Sequence, residues 1–264
     1  MTVAGRTVVV TGAATGIGAA IARRFARAGD QLAILDIDEA GAKSLAADLE
    51  ASGTRALAVR CDVTDPEQCR AAMKSARDHF GGIDILINNA GITHLGAFKD
   101  TDTSVLRRVM EINFFGAVEC TKAALPSLIE RRGQIVALSS VAGFAPLATR
   151  TGYAASKHAL HGFFDSLRAE LLNDGVGVTL VCPYFVNTAI GDHALGPDGR
   201  NASDSARTGV RGAIEPEEVA EALFRGVEKN RDRVFVPGQA RKAWWVSRLA
   251  PRLYQRLMTR QLRR

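Results

Sequence analysis

The sequence predicts an α/β domain, a doubly wound parallel sheet of about seven strands with helices on both faces. Three observations predict it. Short runs rich in Val, Ile and Leu alternate with longer alanine-rich or amphipathic segments along most of the 264 residues. Those short runs are apolar throughout rather than at every second position, as expected of parallel strands covered on both sides. A glycine-rich turn, Thr11-Gly-Ala-Ala-Thr-Gly-Ile-Gly18, stands between the first such run and the first helical pattern. A hydrophobic content of 47% and a charged content of 23% are ordinary for a globular chain, and the length suffices for a sizeable core.

Taken in order, Thr7 to Val10 is a β-branched run that reads as a buried strand. Ile17 to Ala28 places Ile21 and Phe25 at helical spacing, and Gly29 ends it. Leu32 to Leu35 is the second strand, closed by Asp36, and Ala40 to Leu49 the second helix. Ala56 to Arg60 is the third strand, and Pro66 opens a helix running to about Phe80. Ile83 to Ile87 is the fourth strand, followed by Asn88-Asn-Ala-Gly91. Val105 to Arg131 reads as one long helical stretch, broken near Asn113 and bent at Pro126. Gln134 to Leu138 is the fifth strand, Tyr153 to Leu172 a helix, and Val176 to Cys182 the sixth strand. Residues 188–213 are polar and Gly-rich, so a mobile segment is expected there. Pro216 to Glu228 is a helix and Val234 to Val236 a seventh strand. No repeat or linker divides the chain, and residues 1–238 are expected to form one domain, with 239–264 as an extension.

Charge is placed unevenly. Residues 239–264 carry eight Lys/Arg and no acid, whereas the remainder holds 26 basic against 28 acidic residues. The net +6 therefore belongs to the tail, and the body offers no basic footprint for nucleic acid. Cys61, Cys69, Cys120 and Cys182 form no C-x-x-C pair, none of the five histidines has metal-ligand spacing, and no metal is expected. They read as buried thiols of a reducing compartment. No signal peptide is visible, no apolar run reaches about 18 residues, and a cytoplasmic location is expected.

Two stretches carry chemistry. In the glycine turn, glycines permit a tight bend and close backbone approach, and the following helix N-terminus offers free N–H groups to a pyrophosphate. The spacing is G-x-x-x-G-x-G rather than G-x-G-x-x-G, so a purely structural turn is the competing reading. An acid ending the second strand, Asp36, would bond ribose hydroxyls and repel a 2′-phosphate, with Asp38 adding to that repulsion. This favours NAD over NADP unless Asp36 merely caps the next helix. The second stretch is Tyr153-x-x-x-Lys157, whose spacing stacks both side chains on one helix face with Cβ atoms about 6 Å apart. A neighbouring ammonium lowers a phenol's pKa, and bringing it from about 10 to about 7 takes roughly 4 kcal/mol. Alone, the pair reads equally as a core-capping tyrosine beside a solvated lysine.

Thr11-Gly-Ala-Ala-Thr-Gly-Ile-Gly18, Asn88-Asn-Ala-Gly91, Asn113, Ser140 and Tyr153-x-x-x-Lys157 fall in the order and spacing of short-chain dehydrogenases/reductases. The chain resembles the branch of that family with roughly 250 residues, over residues 5 to about 236. The resemblance implies a Rossmann-type fold and an oxidoreductase. It implies Tyr153 as the general acid/base and Lys157 as the residue that lowers its pKa and holds the nicotinamide ribose. Ser140 would position the substrate oxygen, and Asn113 would support a proton relay at a helix irregularity. Gly12, Thr15, Gly16, Ile17 and Gly18 would cradle the cofactor phosphates. Asp62 and Val63 would meet the adenine, Asn89, Ala90 and Gly91 the adenosine side, and Val186 and Thr188 the carboxamide. One departure stands out: the family usually has Pro-Gly after the sixth strand, and here Pro183 is followed by Tyr184.

The substrate pocket is expected from His94, Ser140, Phe144, Tyr184 and Phe185, with Leu147 and His193 as further candidates. His94 reads alternatively as a solvated loop histidine, and the aromatics as core. In the tail, Leu249, Leu253 and Leu257 share a face and Pro251 splits the segment into two short helices. Either the tail lies on an anionic membrane surface, or it packs over the pocket or a partner subunit. The expected function is NAD(H)-dependent interconversion of a secondary alcohol and a ketone on a hydrophobic substrate of steroid, retinoid or alicyclic type. A homo-oligomer, dimer or tetramer, is the expected assembly. The alternatives are an NADPH-dependent 3-oxoacyl carrier-protein reductase and a non-catalytic dinucleotide-binding sensor or scaffold.

Overall fold

The computed structural model describes residues 5–191, 193–202, 213–238 and 240–261. Seven strands form one parallel sheet: β1 (Thr7–Thr11), β2 (Gln31–Asp36), β3 (Ala56–Arg60), β4 (Ile85–Asn88), β5 (Gln134–Leu138), β6 (Gly177–Pro183) and β7 (Arg233–Val236). Their order is β3-β2-β1-β4-β5-β6-β7, so the winding direction reverses between β1 and β4. In such sheets the crevice beyond the strand ends at that reversal is where ligands bind.

The apolar runs are explained by burial on both faces. On β1, Val8 and Val10 join one core while Val9 joins the other. The first core receives Ile21 and Phe25 of α1 (Gly16–Ala26), Leu45 and Leu49 of α2 (Glu39–Ala51), and Leu223 of α7 (Pro216–Glu228). The second receives Met73 of α3 (Pro66–Phe80), Leu128 of α5 (Gly116–Arg131) and Phe164 of α6 (Thr151–Glu170). Each fully buried side chain of this size stabilises the fold by about 1.5–3 kcal/mol. All four cysteines are buried free thiols. Among the described residues no helix is long and apolar enough to cross a membrane.

Three segments differ from the expectation. The long stretch before β5 is three pieces: α4 (Thr103–Met110), a π-helical turn (Glu111–Phe115) and α5, which continues through Pro126. Asn113 sits buried in the π turn, where the expected irregularity lies. α4 begins earlier than Val105 because Asp102 caps it, accepting from the Ser104 amide at 2.7 Å. β4 begins at Ile85 rather than Ile83, since the Ile83 amide donates to Ser127 Oγ instead of a neighbouring strand. The segment 188–213 is held along its described part: Ala189–Gly191 form a 3₁₀ turn and Leu195 bridges to His94 and to Asn201. Residues 203–212 of that segment lie outside the described residues.

The tail forms α8 (Ala240–Leu249) and α9 (Pro251–Gln261), separated at Pro251 as expected. Ala240 and Tyr254 pack with Val141, Ala145 and Phe144 in a small third core. The guanidinium groups of Arg233 and Arg248 both lie near the Trp244 ring, at 5.6 and 4.9 Å from its centroid. On the outer side Trp245, Leu249 and Leu253 are exposed, while the side chain of Leu257 lies outside the described residues.

Candidate active site

A cavity of about 630 Å³ opens beyond the strand ends at the β1/β4 reversal. At one end the glycine turn forms its floor. Gly12 has φ +61°, and a Cβ there would sit 2.7 Å from the Ala90 Cα. A Cβ on Gly18 would lie 2.2 Å from the Gly12 oxygen, so the first turn of α1 packs against the loop in a way only glycine permits. Thr15, the residue before α1, makes no side-chain cap, and Thr15, Gly16 and Ile17 line the cavity at this helix N-terminus. These features fit a dinucleotide pyrophosphate.

Asp36 closes β2 and lines the same end. Its Oδ2 accepts from the Ala14 amide at 2.8 Å and its Oδ1 from the Asp38 amide at 3.0 Å. The helix cap is Asp38, which accepts from the Gly41 amide, so capping does not account for Asp36. Cys61, Asp62 and Val63 follow β3 along this wall, Asp62 being held by Thr64 and by Gln68. Opposite them, the Thr11 hydroxyl accepts from the amides of Asn89 and Ala90, at 3.0 and 3.1 Å. Asn89 Nδ2 in turn donates to the carbonyls of Thr11 and Gly12. The tips of β1 and β4 are thereby joined by side chains beyond the ladder.

At the other end Ser140, Tyr153 and Lys157 line one wall, Ser140 from the turn after β5 and the other two from α6. Lys157 is buried, and its Nζ donates to the Leu138 carbonyl at 2.7 Å. Burial pulls its pKa down from 10.5 to about 8. Burial also raises the Tyr153 phenol, which hydrogen bonding with Ser140 and the charge of Arg150 partly offset. Lys157 Nζ lies 5.7 Å from the Tyr153 ring centroid, and the charge of Arg150 stands close enough to favour the phenolate. Ser139, the neighbour of Ser140, bonds His161 Nε2 at 2.8 Å on the buried side. Asn113 brackets the Ile92 peptide, accepting from its amide at 2.8 Å and donating to its carbonyl at 2.9 Å, and also donates to Ser156 Oγ.

Known proteins share this fold. The short chain dehydrogenase family profile matches residues 6–195. The chain belongs to the short-chain dehydrogenase family. It is 39% identical to the rat (Rattus norvegicus) protein named dehydrogenase/reductase SDR family member 7B, over 97% of this chain and 81% of that one. It is 38% identical to the probable oxidoreductase EphD of Mycobacterium bovis, covering 92% of this chain but only 43% of that protein. A short-chain dehydrogenase/reductase from Burkholderia phymatum, solved in complex with NAD, superposes with a TM-score of 0.86 at 27% identity, over 94% of this chain and 95% of that one.

Against the short-chain dehydrogenase pattern, Tyr184 stands where the family usually has glycine, and it lines the cleft 39% exposed, edge-on to Phe185. Val186, Thr188, Leu147 and His193 line the cleft as well. Two expected pocket residues do not. His94 is fully buried away from the cleft because its backbone bridges to Leu195, and neither ring nitrogen has a hydrogen-bond partner. Phe144 turns into the third core, against Phe235 and His161. Sequence reasoning passed over Arg150 and Tyr254, which both line the cleft. Arg150, three residues before Tyr153, was open to notice as a cation one turn from the motif; for Tyr254 no local signal exists.

Proposed function

We propose that this short-chain dehydrogenase transfers hydride between NAD(H) and a secondary alcohol or ketone whose body is apolar. The observation that carries it is the meeting of Ser140, Tyr153 and Lys157 on one wall of a cleft whose other end is the glycine cradle. The nicotinamide, when bound, supplies or accepts the hydride. In this reading Tyr153 Oη holds the proton exchanged with the substrate oxygen, and Ser140 Oγ orients that oxygen. Lys157 binds the ribose side, and Asn113, in the π turn, holds the Ile92 peptide of the loop after β4 in place. Val141, Ala145, Leu147, Tyr184, Phe185 and Ile190 around the substrate end support an apolar substrate. A panel of cyclic and linear ketones, followed by NADH absorbance, tests the reading; no turnover on any member speaks for a binding role.

The preference for NAD rests on Asp36. With no lysine or arginine among the cleft residues at that end, a 2′-phosphate meets carboxylates only. Asp36→Ala is expected to narrow the ratio of NAD to NADP efficiency by at least about tenfold, close to 1.4 kcal/mol. Tighter binding of NADPH than NADH by the unmodified chain would show the assignment to be wrong.

We assign the tail to the wall of the substrate end, since Tyr254 is 8% exposed and lines the cleft. Deleting residues 239–264 is expected to raise KM severalfold and lower Tm by uncovering Val141 and Ala145. The outer face, with Trp245, Leu249 and Leu253 exposed among arginines, supports contact with an anionic lipid surface. The same truncation then also abolishes salt-sensitive pelleting with anionic vesicles. If the intact chain does not pellet at low salt, that part of the reading fails.

A further inference from the structure

Besides Lys157, one further lysine or arginine lines the cleft among the described residues. Arg150 precedes α6, lines the substrate end and is half-buried. Its Nη1 donates to Thr93 Oγ1 at 2.9 Å, which fixes the guanidinium in place. Among the described residues no carboxylate is paired with it. The acids lining the cleft, Asp36, Asp38 and Asp62, all belong to the glycine-turn end. The titratable groups near it are Tyr153, whose phenolate it favours, and His94, whose protonation it opposes.

A guanidinium is charged at any working pH and presents five donors in a planar fork suited to carboxylate or phosphate oxygens. Held in a partly desolvated wall without an acid, it costs stability that a ligand anion offsets on binding. We propose that Arg150 recognises an anionic oxygen group, a carboxylate or a phosphate monoester, on the substrate. The inference rests on the reading that this end of the cleft takes the substrate. It deepens that reading: the substrate is amphiphilic, with its anion toward Arg150 and its apolar body toward Leu147 and Tyr184. The role is one of specificity, distinct from the proton transfer assigned to Tyr153.

The test uses three matched ketones: 4-acetylbenzoate, 4-acetylphenyl phosphate and the uncharged 4-acetylbenzamide. Each is titrated calorimetrically into the full chain, with and without NADH, and then assayed for reduction. At least one anion is expected to bind tenfold or more tightly than the amide, with the preference lost in Arg150→Met and partly kept in Arg150→Lys. Equal binding of anions and amide by the unmodified chain, no binding of any of them, or a preference that survives in Arg150→Met overturns the proposal. Because the first comparison needs no variant, misfolding of a variant does not decide it. A loss of turnover in Arg150→Met that is equal for the charged and neutral ketones, with a displaced pH profile for both, assigns the guanidinium to Tyr153 alone and also overturns it. Anion preference without turnover of any ketone supports the recognition role while removing the oxidoreductase reading.

Discussion

Tyr153→Phe is expected to leave NADH binding within a fewfold of the unmodified chain and to lower turnover by about 10²- to 10⁴-fold. Removing a positioned general acid or base costs that much. The substitution deletes one oxygen from a side chain on the cleft wall and leaves the ring to pack as before. Cofactor affinity, which the proposed function assigns to the glycine turn, Asp36 and the residues after β4, has no reason to fall with it. Turnover by Tyr153→Phe within tenfold of the unmodified chain would refute the assignment. Stopped-flow measurement of a single turnover separates chemistry from product release.

Lys157→Met is expected to remove both tight NADH binding and turnover, and to leave a second signature in stability. The buried ammonium has its pKa lowered from 10.5 to about 8, with burial as the cause. A lysine depressed in the folded chain works against stability while charged. Below about pH 8 it carries its proton in both states and the full cost of burial applies. Between about 8 and 10.5 the unfolded chain binds more protons than the folded one, so the free energy of unfolding rises with pH. The whole rise amounts to about 3 kcal/mol. Urea unfolding of the two proteins from pH 7 to 10.5 should show the unmodified chain gaining on the variant through that window. Parallel profiles would mean that Lys157 is not buried as a charge.

How much of this was legible in the residues themselves depends on the range of the forces involved. Strand and helix types follow from local patterns, so the alternation of Val/Ile/Leu runs with amphipathic segments yielded all seven strands and their cover. The π turn was anticipated only as an irregularity at Asn113, because its geometry depends on a contact with Ile92 twenty-one residues away. His94 and Phe144 were placed in the cleft from their nearness in sequence to residues that do line it. Side chains of adjacent residues leave the backbone in different directions, and theirs go to the first turn of α6 at Gly152 and to the third core. Tyr254 could not be read at all, since its position depends on how α9 folds back after Pro251. Whether Asp36 caps the second helix was open in the sequence, and the cap is Asp38.

The hydroxyl of Thr11 carries a further meaning. Two consecutive loop amides beyond the end of β4, those of Asn89 and Ala90, are tied to one side chain of the neighbouring strand. A loop free in solution must surrender about 1–2 kcal/mol of backbone entropy for each residue that a ligand orders. Here that ordering is complete when the sheet forms, so it is charged to folding rather than to association. The cleft lining there is therefore preorganised: ligand contacts made with it go into affinity instead of being consumed in stilling the loop.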